Sequence, residues 1–166
     1  VRMCDEPMIY LDKNYVAIFG GVQKALIAVA GINDRKKVIQ VKGRYENGNI
    51  VREALTALYS GADTIYVDSG KIEDLKAVSE ALRSALSELQ TGDEERKLSL
   101  AYGGGVVLDQ IEEIIAAGAD IIGVGRAIID APLMDLRLEV KEVQAAKYQH
   151  SQYQLFNKHE LTIQGI

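Results

Sequence analysis

The sequence predicts an α/β protein: a parallel sheet of βα units forming a partial, incomplete TIM-like barrel, with a C-terminal extension. Three observations point there. Five short apolar runs alternate with stretches whose apolar residues recur at helical spacing, the pattern of parallel strands buried between amphipathic helices. Each apolar run ends in glycines or charged residues. The tripeptide Gly61-Ala62-Asp63 also recurs as Gly118-Ala119-Asp120, each time directly before an apolar run. A glycine there ends a helix in the left-handed conformation and returns the chain to the sheet. Five units fall short of the eight of a full barrel. The barrel is therefore partial, or closed by further sequence or a partner; the alternative is an open, doubly wound sheet.

The elements follow in order. Met8-Ile9-Tyr10-Leu11 is the first strand and runs into Asp12-Lys13-Asn14. Gly20-Gly21 opens a helix with Val22, Leu26 and Val29 on one face, stopped by Gly31. Lys37 to Val41 is the second strand, ending at Lys42-Gly43-Arg44, and Glu46-Asn47-Gly48-Asn49 is turn chemistry. Val51, Leu55 and Leu58 mark a helix closed by Gly61. Thr64 to Val67 is the third strand, ending at Asp68-Ser69-Gly70, and Leu75, Val78, Leu82 and Leu86 carry the next helix. A charged loop, Thr91 to Lys97, leads to the strand Leu98 to Ala101 and then to Tyr102-Gly103-Gly104-Gly105. Leu108, Ile111 and Ile115 mark a helix closed by Gly118, Ile121 to Val124 is the fifth strand, and a last helical region begins near Ala127.

From Lys141 the pattern breaks. Five glutamines and two tyrosines (Tyr148, Tyr153) replace it, with possible short strands at Tyr153–Phe156 and Leu161–Ile163. Residues 1–140 are read as the partial barrel. Residues 141–166 are read as an extension that covers a sheet edge or docks on a neighbour.

Composition narrows the function. Of the 166 residues, 48% are hydrophobic and 26% charged, a globular mix rather than a disordered one. The net charge of −5 argues against wrapping nucleic acid or lying on an anionic membrane. One cysteine, Cys4, rules out an internal disulfide, and with two histidines it leaves too few ligands for a structural zinc site. Cys4 has no base near it in sequence, which disfavours a nucleophile role. No secretion signal and no run long enough for a membrane helix are read, so the cytoplasm is the expected location. Opening on Val1 rather than Met points to a fragment, a processed chain or a non-standard start codon.

In parallel α/β proteins the site is built at the C-terminal ends of the strands. That rule selects Asp12, Lys13 and Asn14; Lys42 and Arg44; Asp68 and Ser69; Tyr102 to Gly105; and Gly125 with Arg126. Gly104, Gly105, Gly125 and Arg126 are the expected phosphate binders. Glycines let backbone N–H groups approach an anion, and arginine adds a forked permanent charge. The plainer alternative is that the glycines only permit tight turns. Lys13 and Lys42 would bind a carboxylate or phosphate or act as an amine, unless they are merely solvated. Asp68 would hold a ribose hydroxyl or a magnesium ion on diphosphate, unless it caps the following helix.

Two resemblances add to this reading. The stretch Met8 to Tyr15, Gly20-Gly21-Val22-Gln23-Lys24-Ala25-Leu26, Val38 to Lys42, Ala54 to Asp68, Gly104-Gly105-Val106 and Gly118 to Gly125 resembles the barrel domain of quinolinate phosphoribosyltransferases (nicotinate-nucleotide pyrophosphorylases), over roughly residues 2–130. The resemblance implies an incomplete α/β barrel and phosphoribosyl transfer from phosphoribosyl diphosphate with magnesium. It also implies dimers in which a separate N-terminal domain covers the partner's barrel. Departures stand beside the likeness. The family's Lys-Asp-Asn-His reads here as Asp12-Lys13-Asn14-Tyr15; expected second-strand acids read as Gln40 and Lys42; and the Glu and Ser before the double glycine read as Ala101 and Gly103. Asp68 matches. The run Ala117 to Ile128 is also similar to ribulose-phosphate-binding barrels, whose Asp-x-Lys-x-x-Asp motif this chain lacks.

The expected function is thus a phosphate-binding partial barrel acting on a phosphorylated or phosphoribosylated small molecule. If active, it would be a phosphoribosyltransferase-like glycosyltransferase of NAD biosynthesis. Lys13, Lys42 and Asp68 would be catalytic, and Asp12, Asn14, Arg44 and Ser69 would bind substrate. No metal ligand set is expected beyond magnesium arriving with a phosphoribosyl diphosphate-like substrate. The alternatives are a ribulose-phosphate-type lyase or isomerase, and a non-catalytic module completed by another chain. Unpaired sheet edges predict a homo-oligomer.

Overall fold

The computed structural model describes residues 5–89 and 97–130, together with the backbone of 136–138 and 163–165. Arg2, Cys4, most of the charged loop from Thr91 and the expected strand at Tyr153–Phe156 lie outside the described residues. The chain divides into two compact units, residues 1–130 and 131–166. In the second, the strands β6 (Leu136–Leu138) and β7 (Ile163–Gly165) pair antiparallel.

The first unit is built on five parallel strands: β1 (Met8–Leu11), β2 (Lys36–Val41), β3 (Thr64–Val67), β4 (Ser99–Tyr102) and β5 (Ile121–Ile122). They lie side by side in chain order, with no reversal. A doubly wound sheet requires a reversal, because helices must pass to both faces. The sheet is therefore singly wound, like a stretch of barrel wall, and it is open: β1 and β5 do not pair.

Between the strands run α1 (Lys13–Phe19), α2 (Val22–Ala28), α3 (Ile50–Tyr59), α4 (Ile72–Leu89), α5 (Ile111–Ala116) and α6 (Arg126–Ile129). The helix α1 corrects the sequence reading, which treated Asp12-Lys13-Asn14 as a strand-end loop. Asp12 caps it, accepting the backbone N–H groups of Asn14 and Tyr15, and Gly20 stops it at φ 78°. Side chains alternate across each strand. Leu11, Ile39, Val41, Ile65, Val67 and Leu100 join Leu26, Leu58, Leu75, Val78 and Ile114 of the helices in one buried core. The alternate positions, in register across the sheet, are Gln40, Tyr66 and Ala101. Tyr10, two residues along from Met8 on β1, contributes to that same face a ring whose centre lies 6.3 Å from that of Tyr66.

The repeated tripeptide has one structural meaning. Gly61 and Gly118 both take positive φ, 93° and 101°. The aspartate that follows each makes a reciprocal pair with a neighbouring strand. Asp63 donates its N–H to the Lys37 carbonyl and accepts the Lys37 N–H on Oδ2. Asp120 does the same with Leu100. These aspartates satisfy backbone groups at the strands' N-terminal ends, away from the charged strand ends.

Candidate functional site

The site starts in the turn after β2. Lys42-Gly43-Arg44-Tyr45 must redirect the chain into α3, which leaves several backbone N–H groups without carbonyl partners. Glu53, near the start of α3, supplies the acceptors. It is 1% exposed, and its carboxylate accepts the N–H groups of Lys42 and Gly43 at 3.0 Å each and that of Tyr45. A buried carboxylate ringed by N–H donors is the arrangement in which its desolvation is compensated. It fixes the turn from inside.

On the other side of the turn, Gln40 is 7% exposed and bridges two elements. Its Oε1 accepts the Lys13 N–H at 2.6 Å, and its Nε2 donates to Asp68 Oδ2. The two contacts fix the amide orientation: turned over, it would set donor against donor at Lys13 and acceptor against acceptor at Asp68. Lys42 Nζ lies 2.7 Å from the same Asp68 oxygen, the two side chains being 22% and 18% exposed. Lys13, Gln40, Lys42, Arg44, Tyr45 and Glu53 line an open cleft together with Val16 and Ala17. Lys13 and Arg44 stand at its exposed rim.

The glycine turn after β4 packs onto this cluster. Gly104 has φ 101°, and a side chain there would come within 2.8 Å of both Asp68 Oδ1 and the Gly70 nitrogen. Gly103 lies against the Tyr66 hydroxyl and ring, and Gly123 of the next turn meets the same hydroxyl. Burial first, and then the negative charge of Asp68, raises the Tyr66 phenol above its ordinary range. Tyr10 moves the same way, by burial and then by Tyr66, Asp68 and Asp12. Both therefore remain protonated donors at neutral pH.

Lys13, Lys42, Arg44, Asp68 and Gly104 thus come together. Asp12 and Asn14 bond each other at 3.1 Å at the start of α1. Ser69 Oγ makes a local turn contact with the Lys71 N–H at 3.2 Å. Gly105 borders open space: a methyl group on its Cα would meet no atom within 4 Å. Gly125 opens α6 at φ −117°, and Arg126 is 87% exposed, its Nε 3.7 Å from Asp130 Oδ2 of its own helix. Sequence reasoning did not find Gln40, Glu53 and Tyr66 as site residues. Gln40 carried a signal, a polar residue inside the apolar run Val38 to Val41. Glu53 carried none, since a glutamate early in a helix reads as an ordinary surface residue.

Among the described residues, no group of three or more His, Cys, Asp or Glu comes together. The donors that do converge on Asp68 are an ammonium and an amide N–H, which does not suit a magnesium ion held by protein oxygens. Among the described residues, no helix is long and apolar enough to cross a membrane.

Comparison with known proteins matches this architecture. Residues 2–139 fit the family model for the quinolinate phosphoribosyl transferase, C-terminal domain. The human nicotinate-nucleotide pyrophosphorylase [carboxylating] is 26% identical over 138 residues, 82% of this chain and 42% of that protein. The Dictyostelium discoideum protein of the same name is 24% identical over 85% of this chain and 42% of its own length. The structure of the nicotinate-nucleotide pyrophosphorylase from Francisella tularensis shares the fold with TM-score 0.53 and 20% identity, over 76% of this chain and 38% of that one. The chain spans about two fifths of the length of these relatives. With this family model covering most of its length, the chain belongs to the quinolinate phosphoribosyltransferase family, through that family's C-terminal domain.

Proposed function

We propose that this chain binds a phosphorylated or phosphoribosylated small molecule at the C-terminal ends of its strands. The observation that carries the reading is the cleft after β2: Lys13, Lys42 and Arg44 line one opening in a protein of net charge −5. Lys13 and Arg44 form no ion pair with another described residue, and the Glu53 carboxylate is turned inward onto backbone N–H groups. Excess positive charge is therefore available to a ligand. Charge-assisted hydrogen bonds from these groups are the strong kind, and arginine can make two to one phosphate or carboxylate. Gly104, Gly105, Gly125 and Arg126 extend the reading to phosphate, through unobstructed backbone at Gly105 and the reach of the solvated Arg126 side chain. Asp68, held in place by Lys42 and Gln40, offers Oδ1 to a ribose hydroxyl. The names of the relatives narrow the ligand to a nicotinate nucleotide or its precursors, with diphosphate as the other partner. Because the chain spans about two fifths of those proteins, binding is the property proposed first, and phosphoribosyl transfer depends on what else the protein contains.

Titration calorimetry with nicotinate mononucleotide and with ribose 5-phosphate tests this. Both should bind, and Lys13→Ala and Arg44→Ala should each weaken them by roughly tenfold to a hundredfold, as loss of one charged hydrogen bond implies. Binding that is unchanged in both variants, or absent in the parent, removes the reading.

A further inference from the structure

We propose that Lys42 takes the place of a divalent metal ion in this site: its ammonium, seated on Asp68, supplies the fixed positive charge that a diphosphate or phosphate ester needs, and the cleft binds its anion without metal. The inference rests on the reading of the cleft as an anion site.

Three features of the cluster carry it. First, Asp68 Oδ2 receives the Lys42 ammonium at 2.7 Å. A cation already sits on the oxygen a metal would use. Second, the neighbouring position on β2 is an amide that directs its N–H at the same oxygen. Its orientation is fixed by the Lys13 N–H on its other end. A metal site needs converging lone pairs, and here donors converge. A magnesium ion placed beside Asp68 would meet an ammonium and an N–H, both repulsive to it. Third, the carboxylate of the cleft lining, Glu53, has its oxygens on three backbone N–H groups of the turn.

The pairing also positions Lys42. An exposed lysine samples many rotamers, and ordering it on a ligand carries an entropic cost. Here Asp68 holds the side chain part-buried before any ligand arrives. The ammonium has three donors, so the one engaged by Asp68 leaves others for a phosphate oxygen. Lysine is well suited to this as a compact point charge.

Two measurements on the full chain test the proposal. In the first, inorganic pyrophosphate is titrated calorimetrically in EDTA and again in excess magnesium. The affinity in EDTA should be within about threefold of that in magnesium or tighter, and Lys42→Met should weaken binding in EDTA by roughly tenfold to a hundredfold while Lys42→Arg largely retains it. Binding that appears only with magnesium, or a Lys42→Met variant that binds like the parent, overturns the proposal. In the second, free Mn²⁺ is followed by electron paramagnetic resonance. The parent should bind no Mn²⁺ in a manner sensitive to Asp68→Asn, whereas Lys42→Met, with its carboxylate released, should bind it more tightly than the parent. Mn²⁺ binding by the parent that Asp68→Asn abolishes overturns the proposal whatever pyrophosphate does. If pyrophosphate binds under neither condition, the anion reading of the cleft fails, and with it metal-free binding; the Mn²⁺ result then separately decides whether Lys42 keeps a metal off Asp68.

Discussion

The strands β2 and β5 both run into Gly-Arg, as Gly43-Arg44 and Gly125-Arg126, and the two turns are held in different ways. Gly43 adopts φ 67°, and its N–H is bound by Glu53, a residue of the helix that follows. Arg44 is thereby placed on the rim of a cleft that also holds Lys13 and Lys42. Gly125 stays at negative φ and leads straight into the short helix α6. The Arg126 side chain extends into solvent and, among the described residues, pairs with an aspartate one helical turn away, at a distance that contributes little. The same dipeptide is thus part of a preorganised site in one place and a free charge in the other. A carboxylate ten residues downstream makes the difference. Local sequence names the chemical groups, and a long-range bond decides whether they are fixed.

The largest expected effect breaks the organised turn. Glu53→Ala leaves three N–H groups in a part-buried turn without their acceptor and should lower stability by about 2–4 kcal/mol, measured by urea unfolding. If it costs no more than a surface substitution, the turn is not held from inside and the contrast fails. An intermediate effect tests the side chain that reaches from one region to the other. Tyr66 rises from β3, passes Gly103 and meets Gly123, so a Cβ on Gly103 would lie 2.7 Å from its Cζ. Gly103→Ala should destabilise by about 1–3 kcal/mol through overpacking, and should cost measurably less in a Tyr66→Val background. Equal costs in both backgrounds would show that Tyr66 does not occupy that space. The smallest effect belongs to the other turn. Arg126→Ala should change stability by less than ~0.5 kcal/mol, because its side chain is solvated and its ion pair is long. A larger loss would mean that the Arg126 side chain is held by its surroundings, and the contrast between the two turns would fail.

The pattern of residues went far by itself. Strand–helix alternation located all five parallel strands to within one or two residues, because apolar runs bounded by glycine leave the backbone few choices. The repeated Gly-Ala-Asp was legible as a return to the sheet, since a left-handed helix end followed by a strand has that signature. The short helix α1 was not, because its charged first residues look like a loop until Asp12 is seen to accept two N–H groups. The choice between a singly and a doubly wound sheet also waited on the structure. Both are built from the same βα units, and they differ only in which face each helix takes and so in strand order.

At the site, the sequence by itself determined which charges stand at the strand ends: Lys13, Lys42, Arg44, Asp68 and Arg126 follow from where the apolar runs stop. Tertiary structure alone decided their use. It brought Gln40 and Lys42 onto one oxygen of Asp68, turned Glu53 inward, and left Arg126 in solvent. The physical reason is the range of the interactions. Strand periodicity and helix ends are set by neighbours a few residues apart, whereas the bonds from Asp68 span 26 and 28 residues and form only once β2 and β3 lie side by side.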